Sequence, residues 1–270
     1  MHSPSRIFAG CLFVSLLGAG DLAAQPLRMG GTGSALGLLQ DVGAAFGSAA
    51  ESKIDIIPAL GSSGAIRALT DGKLDLAVSA RPLKPEEAAA GLKQVAVLRT
   101  AFVLATSQRT PEALRSVDIA GIYTANETLW SNGVPIRLIL RPRSEADTAL
   151  MGAMFPNLAP ALEAVRRRPE IPTAGTDQDN ADMAERTPGS LIGTSASQLV
   201  TEQRNLRMVA IDGVAPTFAN FESGAYPYTK RLYFVIRSAG RPEAQLFADF
   251  FRTPRGIATL RAAEVLVDRD

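Results

Sequence analysis

The sequence predicts an α/β protein of two lobes, joined by two segments that cross between them. Three observations predict it. Short apolar runs alternate with helical patterns along most of the chain, the signature of strands layered with helices. Two β-rich runs, VAVLRTAFVLATS (95–107) and RLYFVIR (231–237), stand out, the first being longer than one sheet usually needs. A hydrophobic fraction of 46% over 270 residues also supports sizeable cores, enough for two lobes. If the runs near 95–107 and 228–237 cross, residues 25–102 and 230–270 form one lobe and 103–229 the other.

The first element is a leader. Arg6 precedes the apolar stretch IFAGCLFVSLLGAG (7–20) and then DLAAQ (21–25). A short apolar run after a basic start, ending in small residues, reads as a cleaved signal peptide over 1–24. The expected cut follows Ala24, with Leu22 a merely tolerable residue at the third position before it, so the mature chain begins near Gln25. Cys11 is the only cysteine. FAGC (8–11) resembles a lipoprotein attachment box, but most of the apolar run follows it, so an unlipidated, soluble, periplasmic monomer is expected. No later stretch is long and apolar enough to span a bilayer as a helix.

Losing 24 of 270 residues leaves 246 with no cysteine and, because His2 is the only histidine, no histidine either. That excludes disulfides, thiol chemistry, Ser–His–Asp systems and His-ligated zinc. A net charge of +1, without a basic stripe interleaved with aromatics, argues against nucleic acid. No cofactor, metal or catalytic residue is expected.

The strand LRMGG (27–31) opens into a glycine loop, and Leu38, Leu39, Val42 and Phe46 then recur at helical spacing. Strand, glycine loop and helix start together make an anion cradle, since free N–H groups and the helix dipole face the ligand. A dinucleotide turn would need G-x-G-x-x-G. Gly31, Gly33 and Gly37 read G-x-G-x-x-x-G, so that reading fails.

IDIIPAL (54–60) reads as a strand, SGAIRALTDG (63–72) as a helix closed by Gly72, and LDLAVSA (74–80) as another strand. PIRLILRP (135–142) is a strand, followed by a helix from about Ser144 to Met154. RRRP (166–169) is a helix C-terminus, where cations suit the dipole and Pro169 ends the pattern. TDQDNADMAE (176–185) evokes a calcium loop but lacks its Gly and final Glu, and reads as a loop capping the next helix. Strands SLIGTSA (190–196) and LRMVAID (206–212) follow. Helices through EAQLFADFF (243–251) and PRGIATLRAA (254–263) close the chain. Trp130 reads as packing.

GSSGAIRALTDGKLDLAVSARPL (61–83) resembles the phosphate-binding proteins of ABC transporters, of the class II periplasmic binding protein fold. The shared signature runs through Gly61, Ser62, Ser63, Gly64, Asp75, Ser79, Pro82 and Leu83. The GGTGSALG loop (30–37) fits the family's first loop, and residues 212–236 resemble its segment returning to the first lobe. The resemblance implies an inter-lobe cleft holding a small solute, such as phosphate or another oxyanion, for an ABC permease. Thr32, Gly33 and Ser34 would supply donors at the first helix start, and Ser62, with Ser63 beside it, at the second. Ser79, Arg81, Arg141 and Ser144 complete the implied ligand set.

Two departures bear on the ligand. Ala80 stands where phosphate receptors can carry an Asp that accepts the proton of hydrogen phosphate. After Arg141, the Ser-Gly-Thr turn of the family is replaced by Glu145, Ala146 and Asp147. Ser144-x-x-Asp147 instead resembles a capping box, in which the chain's own oxygens occupy the helix-start N–H groups. Ser62 reads equally as a simple N-cap, and Arg81 as a surface partner of Glu86 or Glu87. Besides transport, the sequence therefore carries a second reading, a periplasmic protein of this fold acting through a sensor or envelope partner. A carboxylate-dependent hydrolase is a third, with Glu145 and Asp147 its only candidate pair.

Overall fold

A computed structural model describes residues 25–268. The leader, its cleavage point, His2 and Cys11 lie outside the described residues.

Nine strands are described: β1 Leu27–Gly31, β2 Ile54–Ile57, β3 Leu76–Ser79, β4 Leu92–Thr106, β5 Arg137–Leu138, β6 Ser190–Ser195, β7 Arg207–Met208, β8 Thr229–Arg237 and β9 Val265–Val267. The helices are α1 Leu36–Ala50, α2 Gly61–Thr70, α3 Pro85–Ala89, α4 Ile119–Thr124, α5 Ala146–Met154 and α6 Leu158–Val165. They continue with α7 Asp177–Arg186, α8 Ala196–Thr201, α9 Phe218–Ser223, α10 Pro242–Phe250 and α11 Pro254–Ala262.

The strand order is β2-β1-β3-β8-β4-β6-β5, with β7 and β9 also paired to β4. β1 runs parallel to β2 and β3, whereas β8 is antiparallel to both β3 and β4. β4 belongs to two sheets. Leu92 to Ala101 pair with β8, and Phe102 to Ala105 pair with β6.

The cores divide along the same strand. Leu98 packs with Leu38, Phe46, Phe234 and Phe247 in one cluster. Ala101 to Ala105 pack with Trp130, Phe155, Leu162 and Ile192 in another. On the return, Tyr226 belongs to the second cluster and Leu232 to the first. A third cluster, around Ile66, Leu69 and Val235, seats α2 against the sheet. Fully burying each such side chain is worth about 1.5–3 kcal/mol, which is why the apolar spacing of α1 and α2 dictates which face turns inward.

Several expectations shift for local reasons. The strand at 54–60 stops at Ile57, because Pro58 follows and Ala59 and Gly61 both adopt positive φ. The strand at 135–142 shrinks to Arg137–Leu138, its neighbour Leu140 bridging Thr173 alone. The expected loop at 176–185 is a helix, α7. Thr176 Oγ1 accepts from Asp179 N (3.0 Å) and Asp179 Oδ2 accepts from Thr176 N (3.1 Å), a reciprocal capping box.

The capping box expected at Ser144-x-x-Asp147 does not form. α5 starts at Ala146 with Glu145 as its N-cap, and no side chain caps it. Asp147 is instead buried against Lys230 of β8, with Nζ–O distances of 2.6 and 2.7 Å. A buried ammonium needs a partner far more than a helix start needs a cap, since water can reach the latter.

Candidate functional site

A cavity of about 620 Å³ opens between the start of α2, the loop after β3, the start of α5 and one face of β8. Neither helix start carries a side-chain cap. Both therefore present first-turn N–H groups and the positive end of a helix dipole to the same space.

Of the residues named from sequence, Ser62, Ser63, Arg81 and Ser144 line this cavity. Ser62 Oγ accepts from Ala80 N (2.9 Å), which leaves its own proton free for a ligand. Arg81 does both things its sequence allowed: it lines the cavity and pairs with Glu87 at 2.7 and 2.9 Å. That pairing holds the Glu87 carboxyl below its usual range. Ser79 is buried and faces its own loop, its Oγ donating to Arg81 O (2.7 Å) and accepting from Arg81 N (3.1 Å). It fixes the position of Arg81 within the loop.

The remaining named residues gather at an inner seam beneath α7. Thr32 and Ser34 are buried, their hydroxyls 3.3 Å apart. The glycines of this loop serve close approach. A Cβ on Gly31 would lie 2.3 Å from the Val78 carbonyl oxygen, and one on Gly33 would lie 2.6 Å from Asp177 Oδ2. Ser34 N donates to Asp177 Oδ2 at 3.0 Å, and Gln178 Nε2 donates to Gly33 O at 2.9 Å. Arg141 is buried at the same seam. Its Nη1 donates to Ala174 O (2.7 Å), while Nη2 lies 3.5 Å from Glu145 Oε2 and 3.7 Å from Asp177 Oδ1.

Sequence reasoning missed four contributors. Thr229, Arg231 and Tyr233 form one wall of the cavity, and Arg143 stands beside the start of α5. The β8 trio was legible in principle, because residues two apart share a strand face while Lys230, Leu232 and Phe234 turn inward. Arg231 pairs with Asp268 at 2.6 Å and Arg143 with Glu163. Asp177 also went unnoticed, because its partner Ser34 lies 143 positions away.

Glu145 lines the cavity, and partial burial pushes its carboxyl above the usual range, with Arg141 pulling the other way. Asp147 is pushed up as well, chiefly by burial, with Lys230 opposing. Glu145 and Asp147 cannot act as a general acid–base pair, because Asp147 is buried against Lys230 and does not line the cavity.

Residues 18–255 of the chain match one family model, the PBP superfamily domain. The chain belongs to the PBP superfamily. No curated protein matches it in sequence. Among solved structures it resembles a Clostridium perfringens protein described as a phosphate ABC transporter substrate-binding protein with bound phosphate. The TM-score is 0.76 at 20% identity, covering 91% of this chain and 100% of that one. An ABC-type phosphate transport receptor from Vibrio cholerae has a TM-score of 0.62 at 14% identity, covering 90% and 100%. The periplasmic molybdate-binding protein of Azotobacter vinelandii gives 0.60 at 12%, covering 90% and 100%. The likeness to these members of the fold extends over nearly the whole chain. No helix among the described residues is long and apolar enough to cross a membrane.

Proposed function

We propose that this protein is a periplasmic substrate-binding protein of the phosphate-receptor-like kind, receiving a small anionic solute for an ABC permease. The leader over 1–24 would direct it to the periplasm, and residues 25–102 with 230–270 would close against 103–229. The observation that carries the reading is the convergence of two uncapped helix starts, α2 and α5, with Arg81, Arg143 and Arg231 around one cavity. Desolvated anions need dense N–H and O–H donors, and few other ligands would use this many. In this reading Ser62, Ser63, Arg81 and Ser144 hold the solute directly. Thr32, Gly33, Ser34 and Arg141 organise the inner wall, and Ser79 holds the Arg81 loop. The phosphate and molybdate carried by similar folds support an anion as the ligand class.

The test is a thermal-shift panel of carboxylates, sulfonates, phosphonates, phosphate esters and inorganic oxyanions. A ligand that binds only the folded state at 100 times its Kd stabilises by about 2.7 kcal/mol, a readily measured rise in Tm. Ser62→Ala should weaken the best ligand about 10- to 150-fold, the loss of one hydrogen bond to a charged group. A panel without a single hit would favour the second reading, a protein of this fold that works through a protein partner. The carboxylates that already surround Arg141 are the observation on its side.

A further inference from the structure

The inner seam already contains an anion. Asp177 opens α7 and is buried, with Oδ2 accepting the Ser34 backbone N–H at 3.0 Å and Oδ1 lying 3.7 Å from the Arg141 guanidinium. A first-loop amide and a buried arginine are the donors that would grip an oxyanion entering this seam. Here the chain's own carboxylate takes the amide's hydrogen bond and stands as an ion-pair neighbour of the arginine, beside Glu145.

The fit leaves no room for a second anion. The Gly33 Cα–H side faces Asp177 Oδ2 and Gln178 Oε1 so closely that an added Cβ would lie 2.6 and 2.8 Å from them. Gln178 clamps the arrangement, donating to Gly33 O at 2.9 Å and to Glu202 Oε1 at 2.8 Å. Arg141 Nε is a buried donor without a partner, but the void beside it is about 20 Å³ and is shared with Asp147 and Thr148. That is space for roughly one water molecule, not for a tetrahedral oxyanion with four oxygens.

Charge argues the same way. Arg141 and Lys230 are met by three carboxylates, Glu145, Asp147 and Asp177. An incoming dianion would join an inner cluster whose cations are already outnumbered, and would lose its hydration in doing so.

We propose that Asp177 is a built-in counter-anion that sets specificity: it fills the inner subsite, excludes free inorganic oxyanions, and directs recognition to organic anions held in the outer cavity. This rests on the solute-binding reading above. A cavity of about 620 Å³ suits an organic molecule far better than a bare oxyanion, and Leu60 and Leu150 on its walls offer apolar contact to a carbon skeleton.

Isothermal titration calorimetry with inorganic phosphate and with molybdate tests this on the wild type, Asp177→Ala and Asp177→Asn, each checked for folding by circular dichroism. The wild type should bind neither ion below millimolar concentrations. Asp177→Ala, which removes both bulk and charge, should gain at least 10-fold in affinity. Asp177→Asn keeps an acceptor for Ser34 N but not the charge, and should gain less. Micromolar phosphate binding by the wild type would overturn the proposal, as would a folded Asp177→Ala without any gain. If neither variant folds, the wild-type titration alone decides. Failure here is distinguishable from failure of the solute-binding reading, which is judged by whether any organic anion binds the wild type.

Discussion

Glu145 is the residue at which the cavity's chemistry turns. It is the one carboxylate among the described residues lining the cavity, and burial raises its pKa above the usual carboxylate range. A raised carboxyl takes up its proton earlier as pH falls, so its repulsion of a bound anion disappears on the acidic side. Binding of an organic sulfonate, whose own charge does not titrate in this range, should therefore tighten as pH falls through that raised value. Glu145→Gln should bind more tightly than the wild type near neutral pH and lose the dependence, as fluorescence or calorimetric titrations across pH can show. Residues of this kind are only half legible from sequence. Ser62, Ser63 and Arg81 could be named because a local turn carries them. Glu145 is legible as a departure from a pattern, but that it faces the cavity while Asp147 pairs with Lys230 is not.

At the scale of elements, the buried pair between α5 and β8 is the most consequential contact. Lys230 is wholly buried and Asp147 nearly so. Removing one partner strands the other charge, so Lys230→Met should destabilise the fold by about 3–5 kcal/mol, measured by urea unfolding. The double replacement Lys230→Met with Asp147→Leu should recover most of that loss, since an apolar pair of similar volume needs no counter-charge. The same contact changes the design of any attempt to restore an oxyanion turn: replacing all of Glu145-Ala146-Asp147 would orphan Lys230, whereas Glu145→Ser with Ala146→Gly leaves it paired. The helix periodicity of α1, α10 and α11 was legible because their apolar stripes face a core directly. α7 was not. Its mean composition is polar and acidic, and only Asn180, Ala181 and Ala184 join the buried Asp177 on its inner face. Thr176 and Asp179 carried the capping signature that identifies its start, but four acidic side chains in one short stretch suggested a loop instead.

Across the whole molecule, the alternation of strands and helices and the two long β-runs were enough to foresee an α/β fold with a strand passing between cores. What sequence could not supply was the pairing of distant segments: α1 against α8, or the first loop against α7. The first of these is tight, for a Cβ on Gly37 would lie 2.3 Å from Thr201 Oγ1 and 2.7 Å from its Cβ. Gly37→Ala should therefore push α1 from α8 and cost about 1–3 kcal/mol, visible as a lowered Tm. Because β4 changes partner from β8 to β6 between Ala101 and Phe102 without a break in the chain, one continuous hydrogen-bonded ribbon runs from the first core cluster into the second. If the two sides part as the proposed function requires, this paired ribbon must twist, and its ladder of hydrogen bonds opposes the motion. Hydrogen–deuterium exchange should find the amides of Arg99–Ala101 and Thr229–Arg231 as slow as those of the cores, where a slack tether would exchange quickly. A solute held as proposed above would then leave only as fast as that ribbon lets the two sides part.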